Sequence, residues 1–514
     1  MSTEIELKLL VATKNLARLR DVLAKLAGAC RPRRQHLLSH YFDTPTLELR
    51  DEGAALRVRK VGRQWVQTLK AGGGVTAGMH QRGEWETPVE EPFPDLGRVA
   101  ASFPDDKTLA RVLKKLPAIQ ALQRVFSTDF HRDIFNFTQS DGSQVEAAVD
   151  EGAVRLGKTG TPISELELEL KSGDPLTLLE LARRVLSEVP LRLGVATKAQ
   201  RGYALLEDGT VSPPRQAAEL TLCSSLPVGE AFARIFAECF DHLLENTEGV
   251  IEQLGPEYLH QMRVAIRRLR GALGVFGDVV PRVVFAGLAH ELQQAGLALG
   301  DARNWEVLRH ETLPACPAAK QADMSSALEE QLRAHAQGAA VQARRLTASR
   351  TFTDIMLRTA IFISGRRWRF AEGESTAAAL AEPISVFARR ALLTRHKKLK
   401  KRVALALHGQ AESLHEARIA AKKLRYTLEF FASLFPKKAV RHHLRHLANL
   451  QDILGTINDA VTAIDLLAHM VELSPHLLPE VTQWEAALTV RSRRGQRQFA
   501  KAWAHFAKRP VMPQ

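Results

Sequence analysis

Short segments in which charged and apolar residues strictly alternate constrain this chain more than any other feature. EIELKL (residues 4–9) sets Glu4, Glu6 and Lys8 between Ile5, Leu7 and Leu9. ELELELK (165–171) repeats the device with Glu165, Glu167, Glu169 and Lys171. Successive side chains of a strand point to opposite faces, so each segment reads as a β-strand with one apolar and one charged face. Arg57 and Arg59, then Arg82, Glu84 and Glu86, then Glu146 and Asp150 stand two or four apart in three further segments. Eight such runs, with turn signals between them and helical interludes at 15–27 and 176–188, suggest a barrel or a sandwich. Glu and Lys are poor strand formers, and five strands charged in both signs exceed what a solvated sheet face calls for. The pattern favours a closed barrel of about eight strands, apolar side outward against helices and charged side inward.

An interior of this kind needs a charged guest, because unpaired buried charge is too costly to keep. Carboxylates ask for a hard divalent cation, Mg²⁺ or Mn²⁺. Arginine and lysine ask for phosphate oxygens. A metal-bound polyphosphate chain meets both demands.

Glu4-x-Glu6-x-Lys8 resembles the ExExK signature of the CYTH superfamily, the triphosphate tunnel metalloenzymes. YFDTP (41–45), LRVR (56–59), LK (69–70), HQRGEWE (80–86), FSTDFHR (126–132), VDEG (149–152), ELELEL (165–170) and TKAQRGY (197–203) follow in that family's order. The resemblance covers residues 1–205 and implies an eight-stranded antiparallel β-barrel tunnel with flanking helices. It implies that Lys8, Arg57, Arg59, Lys70, Arg82, Arg132 and Lys198 grip phosphate. It further implies that Glu4, Glu6, Asp150, Glu165, Glu167 and Glu169 serve the metal, without deciding which of the last three reach it. The reaction implied is in-line attack of water on a terminal phosphoryl group, with inorganic triphosphate as the preferred substrate. KAGGGVTAG (70–78) lacks the Lys-Ser/Thr ending of a P-loop and reads as a hairpin loop.

Beyond residue 225 the texture turns helical and contains a repeat. LHQMRVAIRRLRGAL (259–273) returns as LHEARIAAKKLRYTL (414–428), and LGDARNWEV (299–307) as LGTINDAVT (454–462), both at an offset of 155. Two tandem helical bundles of one design are expected. On a helix, His260, Arg263, Arg267 and Arg270 form one narrow stripe, with Leu259, Met262, Ile266, Leu269 and Leu273 on the opposite side. His415, Arg418, Lys422 and Arg425 repeat the stripe. No acid shares these stripes to relieve the repulsion, so they read as a polyanion-binding face. The doubled motif resembles the CHAD domain, which implies binding of inorganic polyphosphate over 225–510.

The whole is expected to be a multidomain α+β protein: barrel at 1–205, Pro-Pro linker at 206–224, and all-α tandem four-helix-bundle repeats at about 225–370 and 380–510. The net charge of +14 supports the split, since residues after 210 carry +12 of it. DNA is a poor candidate partner, because no helix-turn-helix is evident and aromatics do not interleave the basic runs. The four cysteines are scattered without C-x-x-C spacing, no secretory leader is evident, and no apolar run is long enough to span a bilayer. A cytoplasmic protein without membrane attachment is expected, its oligomeric state open. Two rival readings remain at this level. One is the same tunnel acting on thiamine triphosphate, a nucleoside triphosphate, an RNA 5′-triphosphate, or as an adenylate cyclase. The other is a non-catalytic polyphosphate-binding scaffold.

Overall fold

A computed structural model describes residues 3–115, 121–207, 213–316, 324–370, 374–407 and 411–508. Residues 208–212 of the expected linker, and 509–510 of the expected helical domain, lie outside them. The chain forms two compact units. One comprises the chain up to Pro213 together with Ala348–Gly365, and the other comprises the rest.

The first unit contains β1 (Thr3–Leu10), β2 (Arg33–Asp43), β3 (Ala55–Val61), β4 (Gln64–Thr76), β5 (Met79–Val89), β6 (Gln123–Thr138), β7 (Gln144–Leu156), β8 (Thr159–Ser172) and β9 (Arg192–Gly194). The sheet order is β5-β4-β3-β2-β6-β7-β8-β1, and β1 also pairs with β5, so eight antiparallel strands close on themselves. β9 adds a short pairing beside Lys8–Leu10. Closure removes the sheet edges and leaves an inside and an outside to every strand. Leu7, Leu9, Leu166 and Leu168, the apolar halves of the alternating runs, are fully buried on the outer face. The helices that cover the barrel are α1 (Leu16–Leu26), α2 (Glu48–Asp51), α3 (Leu96–Ser102), α4 (Lys107–Leu113), α5 (Leu176–Leu186) and α6 (Lys198–Leu206). α3 and α4 bring Val99 and Leu109 onto Leu56, Val58, Leu69 and Trp85 of β3–β5.

KAGGGVTAG is not a loop. β4 continues through it to Thr76 with a bulge between Ala71 and Gly74, and the turn falls at Ala77–Gly78. Gly73 has φ of +71°, and a Cβ there would strike the Gln81 carbonyl, so glycine is what lets the strand continue past the bulge.

The second unit begins where Arg215 lies against a long helix. Its carbonyl accepts from Asn246 (2.9 Å), its guanidinium donates to Glu245 (2.7 Å), and Ala218 N–H donates to Glu238 (2.7 Å). The helices are α7 (Val228–Ile251), α8 (Pro256–Phe276), α9 (Arg282–Val307), α10 (Ser326–Thr347), α11 (Arg350–Ser364, which belongs to the first unit), α12 (Glu374–Ala381), α13 (Ile384–Ala406), α14 (Ala411–Phe430), α15 (Lys437–Leu473) and α16 (Leu478–Ala507). α7–α10 recur as α13–α16 close to the 155-residue offset read from the motifs. The prolines that precede α7 and α9, Pro227 and Pro281, recur as Pro383 and Pro436 before α13 and α15. The repeats start side by side: Ile384 N–H donates to the Leu226 carbonyl and Val228 N–H to that of Glu382. Leu259, Met262, Ile266, Leu269 and Leu273 are buried, as their spacing predicted.

α11 is the departure in organisation. It packs on α5 and β9 of the first unit, with Phe352, Met356, Leu357 and Ala360 buried. Asp354 of the same helix also pairs with Arg183 of α5 (2.8 Å). A fragment ending at Pro213 therefore leaves part of the α5 surface bare. It is expected to bind a hydrophobic dye and to melt about 5–10 °C below the same fragment with residues 348–365 fused to its end. Equal melting temperatures would show that α11 adds nothing to the barrel.

Candidate functional site

The even-numbered residues of β1 point into the barrel, and register decides what each one meets. Lys8 lies opposite Glu167, Glu6 opposite Glu169, Glu4 opposite Arg82, Lys70 opposite Glu84, and Arg132 opposite Asp150. Side chains opposite one another on one face are close enough to pair. All of these but Asp150 line a cavity of about 230 Å³. Of the residues expected at the tunnel, Glu4, Glu6, Lys8, Arg57, Arg59, Lys70, Arg82, Arg132, Glu167, Glu169 and Lys198 line it, and Asp150 and Glu165 stand behind that wall, fully buried. Tyr41, Glu84, Glu86, Glu146, Lys171 and Thr197 complete the wall. Alternation flagged the four charged ones, whereas Tyr41 and Thr197 carry no charge signal.

Two groups of paired charges and one guanidinium set apart from them stand out on this wall. In the first, Lys198 Nζ sits 2.5, 2.6 and 2.9 Å from Glu165, Asp150 and Glu167. Arg132 grips both oxygens of Asp150 (2.7 and 2.6 Å) and also Glu167 (2.5 Å). Lys8 bonds Glu167 and lies 3.0 Å from Glu6. Burial opposes charge on every one of these groups. The three cations outweigh it at Glu167, whose carboxyl is held well below its usual range, and Lys8 does the same at Glu6, held at about 2. In the second group, Lys70 pairs with Glu4 (2.5 Å) and Glu84 (3.3 Å), and Arg57 stands 3.6–3.7 Å from Glu84 and Glu86. Glu4 is raised, because burial and its neighbours Glu6 and Glu84 outweigh Lys70.

Arg59 is the one set apart. Its guanidinium donates to Ser39 Oγ (2.9 Å), and no carboxylate of the described residues is within ion-pairing distance. Burial, Arg57 and Arg132 push its pKa down to about 9. It is a cation without its anion, next to the cavity.

The motif TKAQRGY is accounted for residue by residue by how α6 is fixed. Thr197 caps the helix in a reciprocal box with Gln200. Lys198 enters the carboxylate group, and Arg201 grips Glu165 from behind. Gly202 lies so close to the Phe126 ring that any Cβ would clash. Tyr203 donates to Asp43 (2.8 Å), which also accepts from the N–H groups of Thr44, Leu49 and Arg50.

Asp150, Glu165 and Glu167 bring carboxylate oxygens within 4.8 Å of one another, a spacing that could hold a metal ion. The cation among them here is the Lys198 ammonium.

In the helical unit α8 and α14 bring the two basic stripes together. Arg267, Arg418 and Arg263 all act on Lys422, whose pKa burial and these neighbours push down to about 6. Arg263 is lowered to about 10 by burial, Arg267, Arg303 and Arg418. Gly300 of the repeated Leu-Gly pair leaves room for the Arg263 guanidinium, which donates to the Gly296 carbonyl (3.0 Å). His260, next to Arg303 and Arg267, is lowered by burial and by both. His415 bonds Asn458 (3.1 Å). An acid for the second stripe comes from α15: Asp459 lies 3.9 Å from Arg418. Arg425 is drawn off to Glu429 and Gln451, and Arg270 groups instead with Lys423, Arg395, Lys398 and Arg402.

Residues 2–203 match the family model of the CYTH domain and residues 234–468 that of the CHAD domain. The chain joins a CYTH domain to a CHAD domain. A curated relative, the inorganic triphosphatase of Haemophilus influenzae, is 33% identical over 206 residues, which are 40% of this chain and 55% of that protein. The match therefore spans about half of the relative's length. The crystal structure of the CHAD domain from the plant Ricinus communis is 32% identical, with a TM-score of 0.51 over 59% of this chain and 98% of that one. The Ricinus structure supports the helical fold of the second unit. No helix of the described residues is long and apolar enough to cross a membrane.

The charge groups lead to a contrast in stability. Lys198→Met strands three buried carboxylates and is expected to cost about 3–5 kcal/mol. Arg59→Met removes a cation that no carboxylate repays and is expected to be neutral or stabilising. Denaturant unfolding of both variants checks this.

Proposed function

We propose that the barrel hydrolyses inorganic triphosphate to pyrophosphate and phosphate with a divalent cation, and that the helical unit binds inorganic polyphosphate. Charge balance is the observation that carries the first half. The cavity wall holds eight basic and seven acidic side chains, a near-neutral lining. A bare triphosphate would leave it strongly negative, whereas one that arrives with divalent cations keeps it near balance. Because Lys198 already fills the Asp150–Glu165–Glu167 group, the carboxylates left to the ion are Glu4, Glu6 and Glu169, all oxygen donors that favour Mg²⁺ or Mn²⁺. When bound, the cation would neutralise phosphate oxygens and make the terminal phosphorus easier to attack.

The chain's own residues supply the rest. Arg59 takes phosphate oxygens in place of the carboxylate it lacks. Arg57, Lys70 and Arg132 stabilise charge on the transferring and leaving groups. A wall carboxylate accepts the proton of the attacking water. Asp150 and Glu165 hold Lys198 and Arg132 in position from behind. Inorganic triphosphate is favoured over a nucleotide because Tyr41 is the only aromatic ring among the lining residues, and because the cavity falls below the roughly 300–1,000 Å³ usual for drug-sized ligands. The Haemophilus relative's activity is consistent with this choice.

Phosphate release from tripolyphosphate is expected with Mg²⁺ or Mn²⁺ and to stop in excess chelator, with ATP and thiamine triphosphate as weaker substrates. Arg59→Ala is expected to lower kcat/KM by about 10²–10³-fold while the protein still folds. Undiminished activity in chelator, or a preference for ATP, would refute the assignment.

In the helical unit the carrying observation is the face-to-face crowding of Arg263, Arg267, Arg418 and Lys422, which a polyanion would relieve. Below a pKa of about 6 Lys422 is charged, and above it largely neutral. An anion laid between the stripes raises that pKa, so the complex holds more protons than the free protein. Binding of long-chain polyphosphate at pH 7.5 is thus expected to take up a proton and to weaken as pH rises. Calorimetry in buffers of different ionisation enthalpy measures the uptake, and Lys422→Met should abolish it. Affinity should also fall steeply with salt, as counterion release requires.

A further inference from the structure

Five of the chain's 18 histidines gather on α13, α15 and α16, on helix positions that neither reading above uses. His442 and His446 stand four apart on α15, so they share a face. Their rings are 4.6 Å apart at 70°, and their Nε2 atoms lie 3.4 Å apart. From α16, His505 brings its ring to 5.6 Å from that of His446. His396 of α13 stacks on Phe506, and His443 lies close enough to lower its pKa.

We propose that His442, His446 and His505 form a site for a borderline transition-metal ion such as Zn²⁺. Two nitrogens bound tetrahedrally at about 2.0–2.1 Å from zinc stand roughly 3.3–3.4 Å apart. The two Nε2 atoms already have that separation, which is long for the 2.7–3.2 Å or so of an N–H···acceptor bond. Imidazole selects zinc, copper or nickel over magnesium, so this site and the oxygen-lined tunnel would take different ions.

Leu447 and Leu450 of α15, and Trp503 and Phe506 of α16, are buried where the two helices pack on each other, and in the proposed site His505 turns in from α16 as the third donor. Water completes the shell. Among the described residues the tunnel carboxylates alone form a trio already within ligand distance, so the histidine site closes only as the ion enters. Lys438, Arg441, Arg445 and Lys501 lie along the same helices. Their repulsion works against a dication, so chelation rather than the local field carries the binding, and the affinity is modest.

The test is calorimetric titration of the full chain with ZnCl₂ at pH 7.5, repeated with Co²⁺ for its visible absorption. A Glu4→Gln/Glu6→Gln background suppresses uptake by the tunnel. His442→Ala/His446→Ala is expected to remove one equivalent of bound zinc and the tetrahedral cobalt bands, with Mg²⁺-dependent phosphate release unchanged in the otherwise wild-type chain. His505→Ala is expected to weaken binding about tenfold or more. Unchanged stoichiometry and affinity in the double variant would overturn the site, and unchanged affinity in His505→Ala would overturn the third donor.

Discussion

The Lys198 ammonium among Asp150, Glu165 and Glu167 is the contact on which the tunnel depends. Three carboxylates cannot remain ionised out of water unless cations offset them, and removing one partner of such a group costs more than the pair was worth. Lys198 meets that demand from the first turn of α6, a helix that four other devices fix: the Thr197 cap, Arg201 on Glu165, Gly202 against Phe126, and Tyr203 on Asp43. Arg132 and Lys8 complete the neutralisation. Their positions follow in turn, because each must lie opposite its acid in the barrel register. The cavity wall is thus built outward from a buried ionic core.

The two units handle positive charge in opposite ways, which separates their proposed ligands. In the barrel, almost every cation has an acid within 4 Å, so the lining is near neutral and suits a phosphate chain that brings its own metal. In the helical unit, Arg263, Arg267, Arg418 and Lys422 face one another with only Asp459 near Arg418, and burial deepens the repulsion. That arrangement suits an anion without metal. Arg59 is the tunnel's local version of the same logic, one guanidinium left without an acid at the point where a phosphate is wanted.

Much of this was legible in residue order. Period-two alternation in 4–9 and 165–171 located the inner wall, because a strand has only two faces. The 155-residue offset located the helical repeat, because helices built on one motif pack in one way. The basic stripes were legible as faces, but their partners were not. Asp459 reaches Arg418, and Gln451 reaches Arg425, from another helix, contacts that no spacing along α8 or α14 encodes.

Alternation, motif order and the internal repeat by themselves determined a charged barrel followed by two alike helical bundles, with the residues on each inward face. These are local properties, set by the geometry of one strand or one helix. Only the tertiary structure decided that Asp150 and Glu165 serve Lys198 from behind the wall, that Arg59 lacks an acid, that the GGG segment is a bulge within β4, and that α11 joins the barrel unit. Each of these depends on which distant segment lies opposite, and the long-range register of a closed sheet, or the packing of a helix on a unit remote in sequence, is fixed only when the whole chain has folded.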